Sequence, residues 1–279
     1  MQTITTITEL RHALAESRKT DRCVGFVPTM GYLHDGHLAL LRESRIRCHV
    51  TVASIFVNPT QFGPTEDLST YPRDFLRDET LCSAAGVDIL FTPDAGEIYP
   101  AHFTTFVEPG ELARPLCGAF RPGQFRGVAT VVCKLFNIMQ PDFAFFGQKD
   151  FQQCAVVRSM SADLDFPIEI VTVPTVREPD GLAMSSRNKY LTSDERKRAL
   201  AISRALFTAE AAFRAGEREA KRLTDTARRH LTELDQLQYL ELVDPDSLEP
   251  ATSPLGRRTV LCVAAYIGST RLIDNVILT

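Results

Sequence analysis

No part of the chain approaches the roughly 18 consecutive apolar residues of a membrane span, and the opening Met-Gln-Thr-Ile-Thr-Thr lacks a charged segment followed by an apolar one. Neither a spanning helix nor a secretory leader is therefore expected. The seven cysteines stand singly, at Cys23, Cys48, Cys82, Cys117, Cys133, Cys154 and Cys262, with no C-x-x-C pair. That pattern excludes a disulfide framework and fits buried thiols in a reducing compartment, so a cytoplasmic protein is expected. No block of Lys and Arg interleaves with aromatics and the formal net charge is -4, so nothing in the composition invites nucleic acid. The fingerprint G-x-G-x-x-G and the P-loop G-x-x-x-x-G-K-[ST] are both missing, which removes the usual phosphate cradles of dinucleotide oxidoreductases and P-loop kinases. There is no internal repeat and no low-complexity segment.

What the chain does have is 279 residues, 44% of them hydrophobic, enough for one large domain or two small ones. It is organised around Met30-Gly31-Tyr32-Leu33-His34-Asp35-Gly36-His37, which follows the apolar Val24 to Val27 and precedes a helical pattern. A strand ending where a helix begins lies at the carboxyl edge of an open α/β sheet, where helix amides point toward anions. Gly31 and Gly36 let the backbone approach a bulky ligand, and His34 and His37, three apart, can face the same side. Such a pair suits a phosphate chain. Two solvated histidines at a helix start remain an alternative, and a zinc pair finds no third ligand at a characteristic interval.

The rest of the pattern alternates strand and helix. Thr8 is expected to cap a helix burying Leu10, Ala13 and Leu14; Leu38, Leu41 and Ile46 continue the helix after the histidines; and His49 to Val57 reads as a buried parallel strand. A helix ends at Gly86, a strand covers Val87 to Phe91, and Pro109 to Arg126 reads as an ordered loop. Phe125 to Met139 is a helix buried against the sheet or at a subunit contact, with strands at Phe143 to Phe146 and Ile168 to Val173. Val176 to Asn188 is a polar loop. Thr192-Ser193-Asp194-Glu195 is a capping box opening a long helix that Gly216 stops, and a second helix runs to Leu234. Strands are expected at Gln238 to Val243, Thr259 to Ala265 and Arg271 to Ile277. The fold class is thus α/β, a Rossmann-like doubly wound parallel sheet over residues 1–178, with a smaller α+β C-terminal lid domain over residues 179–279.

His34, His37, Lys149 and Arg187 all fall beside carboxyl edges of expected strands, where a doubly wound fold gathers them. In order, the stretches Pro28 to His37, Val57-Asn-Pro-Thr-Gln-Phe62, Tyr71-Pro-Arg73, Gly123 to Val132, Phe146-Gly-Gln-Lys-Asp-Phe-Gln-Gln153 and Met184-Ser-Ser-Arg-Asn188 resemble the pantoate-β-alanine ligase (pantothenate synthetase) family of H-x-G-H nucleotidyltransferases. The resemblance implies that Met30 to His37, Gly147-Gln148-Lys149-Asp150, Val176 and Met184-Ser185-Ser186-Arg187 bind ATP, and that Gln61 and Gln153 hold the substrates. It makes His37 the proton donor, with His34, Lys149, Ser185, Ser186 and Arg187 as its catalytic companions, and implies a homodimer. The chain departs from the family at Tyr32, where a small residue is common, at Gln148, where Glu is common, and at Arg77, in an often acidic segment. That last departure leaves Asp78 a doubtful ligand for magnesium.

The implied reaction has two halves. Pantoate attacks the α-phosphorus of ATP to give pantoyl adenylate and pyrophosphate; β-alanine then attacks the acyl carbon and expels AMP. A carboxylate of pKa about 4 needs no base, so the first barrier is electrostatic, whereas an amine of pKa about 10 must lose a proton to an acceptor the sequence does not identify. The mixed anhydride needs shelter from water, expected from the loop Gln61 to Arg73 and the C-terminal domain. Rival readings are a nucleotidyltransferase acting on a phosphorylated acceptor and a non-catalytic nucleotide sensor. The neutral Gln61 and Gln153 oppose the first, and the retained cations oppose the second.

Overall fold

The structure, a computed structural model, describes residues 1–64, 66–256 and 258–279; Arg257 and Thr65, the latter within the expected lid loop, lie outside the described residues. The chain opens with β1 (Gln2–Ile4) and α1 (Ile7–Lys19), then β2 (Val24–Thr29), α2 (Asp35–Arg47) and β3 (Val50–Ile55). A 3-10 turn at Pro59–Gln61 leads to α3 (Phe75–Ala84), β4 (Ile89–Phe91) and the short α4 (Ala95–Ile98). A turn at Gly110–Ala113 and the short α5 (Cys117–Phe120) precede α6 (Gln124–Met139), β5 (Phe143–Gly147), the 3-10 turn Gln148–Asp150, α7 (Phe151–Asp163) and β6 (Glu169–Val173). After a turn at Ser186–Tyr190 come α8 (Ser193–Arg214), α9 (Ala220–Arg228), β7 (Gln236–Val243), β8 (Thr259–Ile267) and β9 (Thr270–Leu278).

The first six strands form one parallel sheet in the order β1-β4-β3-β2-β5-β6. Helices cover both faces, which is why β2 and β3 are buried along nearly their whole length instead of alternating between buried and exposed. Chain progression reverses between β2 and β5, and the crevice outside their carboxyl ends is where such sheets bind ligands. Thr29 ends β2 and Gly147 ends β5, so the histidine turn and the lysine turn flank that one crevice. The α/β expectation holds.

Of the two places open to α6, it takes the one against the sheet: Val128, Ala129, Val132, Leu135, Phe136 and Met139 share a core with Phe26 and Phe146. Gly127 on this helix has a function for the site, because a Cβ there would lie 2.3 Å from the Thr60 carbonyl oxygen. Its absence lets the Pro59–Gln61 turn rest on α6, which carries Gln61 over the crevice.

The last three strands form an antiparallel sheet, β7-β8-β9. Along β8, Val260, Cys262 and Ala264 join the core of the parallel sheet, while Leu261, Val263, Ala265 and Ile267 pack in a second core with Ile202, Leu206 and Phe213 of α8. The capping box of α8 forms as expected, with Thr192 and Glu195 bonded reciprocally. No helix among the described residues is long and apolar enough to cross a membrane.

Several local expectations need correction. Thr6, not Thr8, caps α1, its hydroxyl accepting the Glu9 N–H at 3.2 Å. Ile46 does continue α2 as expected, on its outer side: it is 79% exposed, while the helix buries Leu40, Leu41 and Ser44. The segment Pro109 to Arg126 is more than a loop, holding a 3-10 turn, α5 and the first turn of α6. Helix α9 stops at Arg228, before Leu234, and β1 was not expected at all.

Candidate active site

The histidine turn is built by an unusual backbone. Gly31 and Tyr32 both adopt positive φ, +81° and +51°, a reversal that glycine alone makes freely. Thr29 steadies its start by accepting the Gly31 N–H at 3.1 Å and donating to the Ser54 carbonyl at 2.7 Å. Asp78, 1% exposed, steadies its end: its two carboxylate oxygens accept the N–H groups of Tyr32 at 2.6 Å and Leu33 at 2.7 Å. Burial pushes the Asp78 carboxyl up in pKa against those two bonds. The residue expected to meet magnesium therefore has both oxygens engaged on the backbone of the turn.

His34 is the N-cap of α2, and His37 completes a reciprocal capping pair. Nδ1 of His34 accepts the Gly36 N–H at 3.1 Å, and Nδ1 of His37 accepts the His34 N–H at 3.3 Å. With Nδ1 accepting on both rings, a neutral imidazole carries its proton on Nε2, where it can donate to a ligand. Burial, with a contribution from the Lys149 charge, lowers His34 to about 4. Burial, His34 and Lys149 together drive His37 well below the usual histidine range. Both rings are neutral at pH 7.

Lys149 stands on the 3-10 turn after β5, its Nζ 3.8 Å from Asp150. Asn275 of β9, 3% exposed, donates to the carbonyl oxygens of Gln148 at 2.9 Å and Lys149 at 3.0 Å, and accepts from the Gln148 amide at 3.2 Å. Beside it, Asp274 and Arg177 form a two-bond pair at 2.6 and 3.0 Å, tying β9 to the loop that holds Val176 and Met184. The Met184 N–H donates to the Val176 carbonyl at 3.0 Å. Ser185 caps the turn that follows, accepting the Arg187 N–H, and Ser186 lies 3.1 Å from the Tyr71 hydroxyl. The Arg187 guanidinium is held by both oxygens of Asp67, at 3.0 and 2.8 Å.

Two adjoining cavities lie between these turns. The inner one, about 220 Å³, is lined by Met30, Gly36, His34, His37, Gln61, Gly147, Lys149, Asp150, Gln153, Val176 and Met184 to Arg187, over an apolar floor of Val128, Val131 and Val132. Three buried side-chain oxygens that lack a hydrogen-bond partner, on Ser54, Gln124 and Thr175, also line it. The outer cavity, about 790 Å³, opens toward β7 to β9 and shares Lys149, Asp150, Gln153, Ser185 and Arg187 with the inner one. Of the expected ligand residues, Gly31, Tyr32, Leu33, Asp35, Gln148 and Asp78 are absent from the lining of both cavities. Tyr32, Leu33 and Asp78 form the brace of the turn, and Gln148 turns to Asn275. Sequence reasoning missed Glu66, Asp67, Arg121 and Asn275; the acidic pair on the loop carrying Gln61 was the one available signal.

A family model described as pantoate-beta-alanine ligase matches residues 2–277. Pantothenate synthetase 1 of Bradyrhizobium diazoefficiens is 71% identical over 279 residues, covering 100% of this chain and 99% of that protein. Pantothenate synthetase of Thermotoga neapolitana is 52% identical over 280 residues, covering 100% of both. The crystal structure of pantothenate synthetase from Thermus thermophilus superposes with a TM-score of 0.93 at 47% identity, covering 99% of each chain. That of pantoate-beta-alanine ligase from Francisella tularensis, complexed with beta-gamma ATP and beta-alanine, superposes with a TM-score of 0.82 at 35% identity, covering 99% of this chain and 97% of that one.

Proposed function

The chain belongs to the pantoate-β-alanine ligase family, and from that membership we propose how its residues divide the reaction. It is an ATP-dependent ligase that condenses (R)-pantoate with β-alanine through a pantoyl adenylate, releasing AMP and pyrophosphate. One observation carries the assignment of roles: the histidine turn and the lysine turn meet at the strand switch point, with Gln61 and Gln153 lining the same cavity.

ATP lies along Met30 to His37 and Gly147 to Asp150, with its adenine end at Val176 and its phosphates under Met184 to Arg187. The pantoate carboxylate, already ionised, attacks the α-phosphorus, and charge grows on the departing pyrophosphate. His34 and His37 stabilise it by hydrogen bonds from Nε2–H, and Lys149 and Arg187 by charge. Burial keeps the His37 ring neutral in the unliganded site, so it meets the phosphates as a hydrogen-bond donor through Nε2–H. Asp67 must leave Arg187 as the phosphates arrive.

Gln61 and Gln153 orient pantoate. The Gln61 amide is preset by Asn58, which donates to its carbonyl oxygen at 3.1 Å. Neutral amides match hydroxyl and carboxylate groups without attracting polyphosphate, and the valine floor suits the branched carbon of the acid. In the second half β-alanine attacks the acyl carbon, the C–N bond forms and AMP leaves.

Magnesium fits as a guest of the nucleotide. Among the described residues no group of three His, Cys, Asp or Glu could hold it, and Asp78 is engaged on the backbone. Held by ATP phosphates and water, it would spread the charge of pyrophosphate. Residues 1–178 carry the adenine and pantoate sites, and residues 179–279, which bring Met184 to Arg187 over the phosphates, act with the loop Gln61 to Arg73 as the cover that excludes water. The working form is a cytoplasmic homodimer, a setting that suits seven free thiols. Pyrophosphate exchange into ATP tests the reading: it should depend on pantoate, and exchange that ignores pantoate or needs another acid would overturn it.

A further inference from the structure

Among the described residues four cationic side chains line the two cavities: Lys149, Arg187, Arg121 and Arg271. The first two stand with the phosphate-facing turns. Arg271 reaches only the outer cavity, where Gln238 and Cys117 engage it at 2.7 and 3.4 Å. Arg121 lines both cavities and so stands at the neck between them. It sits on the junction of α5 and α6, its N–H bonded to the Cys117 carbonyl. Its guanidinium forks onto both oxygens of Glu66, with Nε at 2.7 Å from Oε1, and the two side chains are only 14% and 22% exposed.

Building on the reaction assigned above, we propose that Arg121 recognises the carboxylate of β-alanine, and that Glu66 holds its guanidinium as an internal stand-in until that substrate arrives. A cation at the neck suits the second half-reaction. The amine of β-alanine must reach an acyl carbon in the inner cavity beside Gln61 and Gln153, and its carboxylate trails roughly 5 Å behind, at bond lengths near 1.5 Å. A forked guanidinium is the group that fixes a carboxylate by two parallel bonds. Gln124, whose buried carbonyl oxygen lacks a partner, lines both cavities as Arg121 does and offers an acceptor to the amine.

Exchange of one carboxylate for another leaves Arg121 with the same bonds, so no buried charge is stranded while the site is empty. The neighbouring residue repeats the device: Asp67 holds Arg187 by the same fork in the absence of phosphates. One acidic dipeptide therefore occupies two cavity arginines.

The test compares β-alanine with β-alaninamide, which keeps the amine and loses the negative charge, as acceptors for pantoyl adenylate. The unaltered enzyme should prefer β-alanine by about 10- to 10²-fold in kcat/KM, the scale of a charged hydrogen-bonded pair. Arg121→Met should bring that ratio close to one and raise the KM for β-alanine, and Arg121→Lys should keep part of the preference. Glu66→Ala should move the KM the other way, lowering it severalfold, which a merely structural pair would not do. Pantoate-dependent pyrophosphate exchange, followed in each variant, reports the first half-reaction and folding. Retained preference in Arg121→Met, its loss in Arg271→Met instead, or a KM raised by both Arg121→Met and Glu66→Ala would overturn the assignment of Arg121 alone. Exchange independent of pantoate in the unaltered enzyme would overturn the underlying reaction as well.

Discussion

The imidazoles of His34 and His37 lie with ring centroids 4.1 Å apart, and each is oriented by a backbone N–H that its Nδ1 accepts. This fixes the tautomer before any ligand binds, so the two Nε2–H groups are preset donors. His37→Ala should fold but lose adenylate formation by about 10²- to 10⁴-fold, the range for a lost donor at a developing charge. Near-normal pyrophosphate exchange in the variant would reduce His37 to a helix cap.

The same burial gives a stability signature in acid. His34 titrates near 6.5 when unfolded and at about 4 when folded. Between those values the unfolded chain binds a proton that the folded chain refuses, so stability falls as pH drops through that window and His34 has no effect above it. The slope of the urea midpoint against pH between 6.5 and 4 should flatten in His34→Asn. An unchanged slope would show that other groups set the acid limit.

Gln61→Ala and Gln153→Ala should each weaken pantoate binding by about 1 to 3 kcal/mol and leave ATP binding nearly intact, because an amide orients an acid but neutralises no phosphate. Isothermal titration with each ligand separates the two effects, and equal losses for both would dissolve the pantoate pocket.

Lys149→Met should damage adenylation more than transfer, since the charge on pyrophosphate develops only in the first half. Lys149→Ala should behave alike if charge is the cause, whereas rescue by Met would point to packing. Single-turnover rates with ATP plus pantoate, and with preformed pantoyl adenylate plus β-alanine, give the comparison. Equal slowing of both halves would make the lysine a support of the site.

Asp78→Asn places an amide N–H against the Tyr32 or Leu33 N–H and should destabilise the fold by about 1 to 3 kcal/mol. Because the carboxylate is spent on the turn, the magnesium dependence of exchange should be unchanged in the variant. A shifted magnesium requirement with unchanged stability would restore Asp78 as a ligand.

The crevice was legible in the sequence because its markers are local. Gly31, Gly36, His34 and His37 are fixed within one strand-to-helix junction, and Gly147 to Asp150 within another. Apolar runs located β2, β3 and β5 because parallel strands covered on both faces lose their alternation. Partnerships across the chain were not legible. Nothing near Asp78 announces the Tyr32 and Leu33 amides, nothing near Asn275 announces the lysine turn, and the acidity of Glu66 and Asp67 gives no hint of which arginines they hold. β1 is a strand only through its register with β4, a three-residue pairing no local pattern can declare.

Strand β8 belongs to two interiors at once, with Val260, Cys262 and Ala264 in one and Leu261, Val263 and Ala265 in the other. The two sheets are separate in topology but do not have separate lives as folding units. Neither can lose its packing without stripping one side of the same strand, so β7 to β9 have little autonomy to drift from the crevice at the ends of β2 and β5. Asn275, on the neighbouring strand, inherits that rigidity and passes it to Lys149. The last three strands are thus spliced into the framework that carries the crevice.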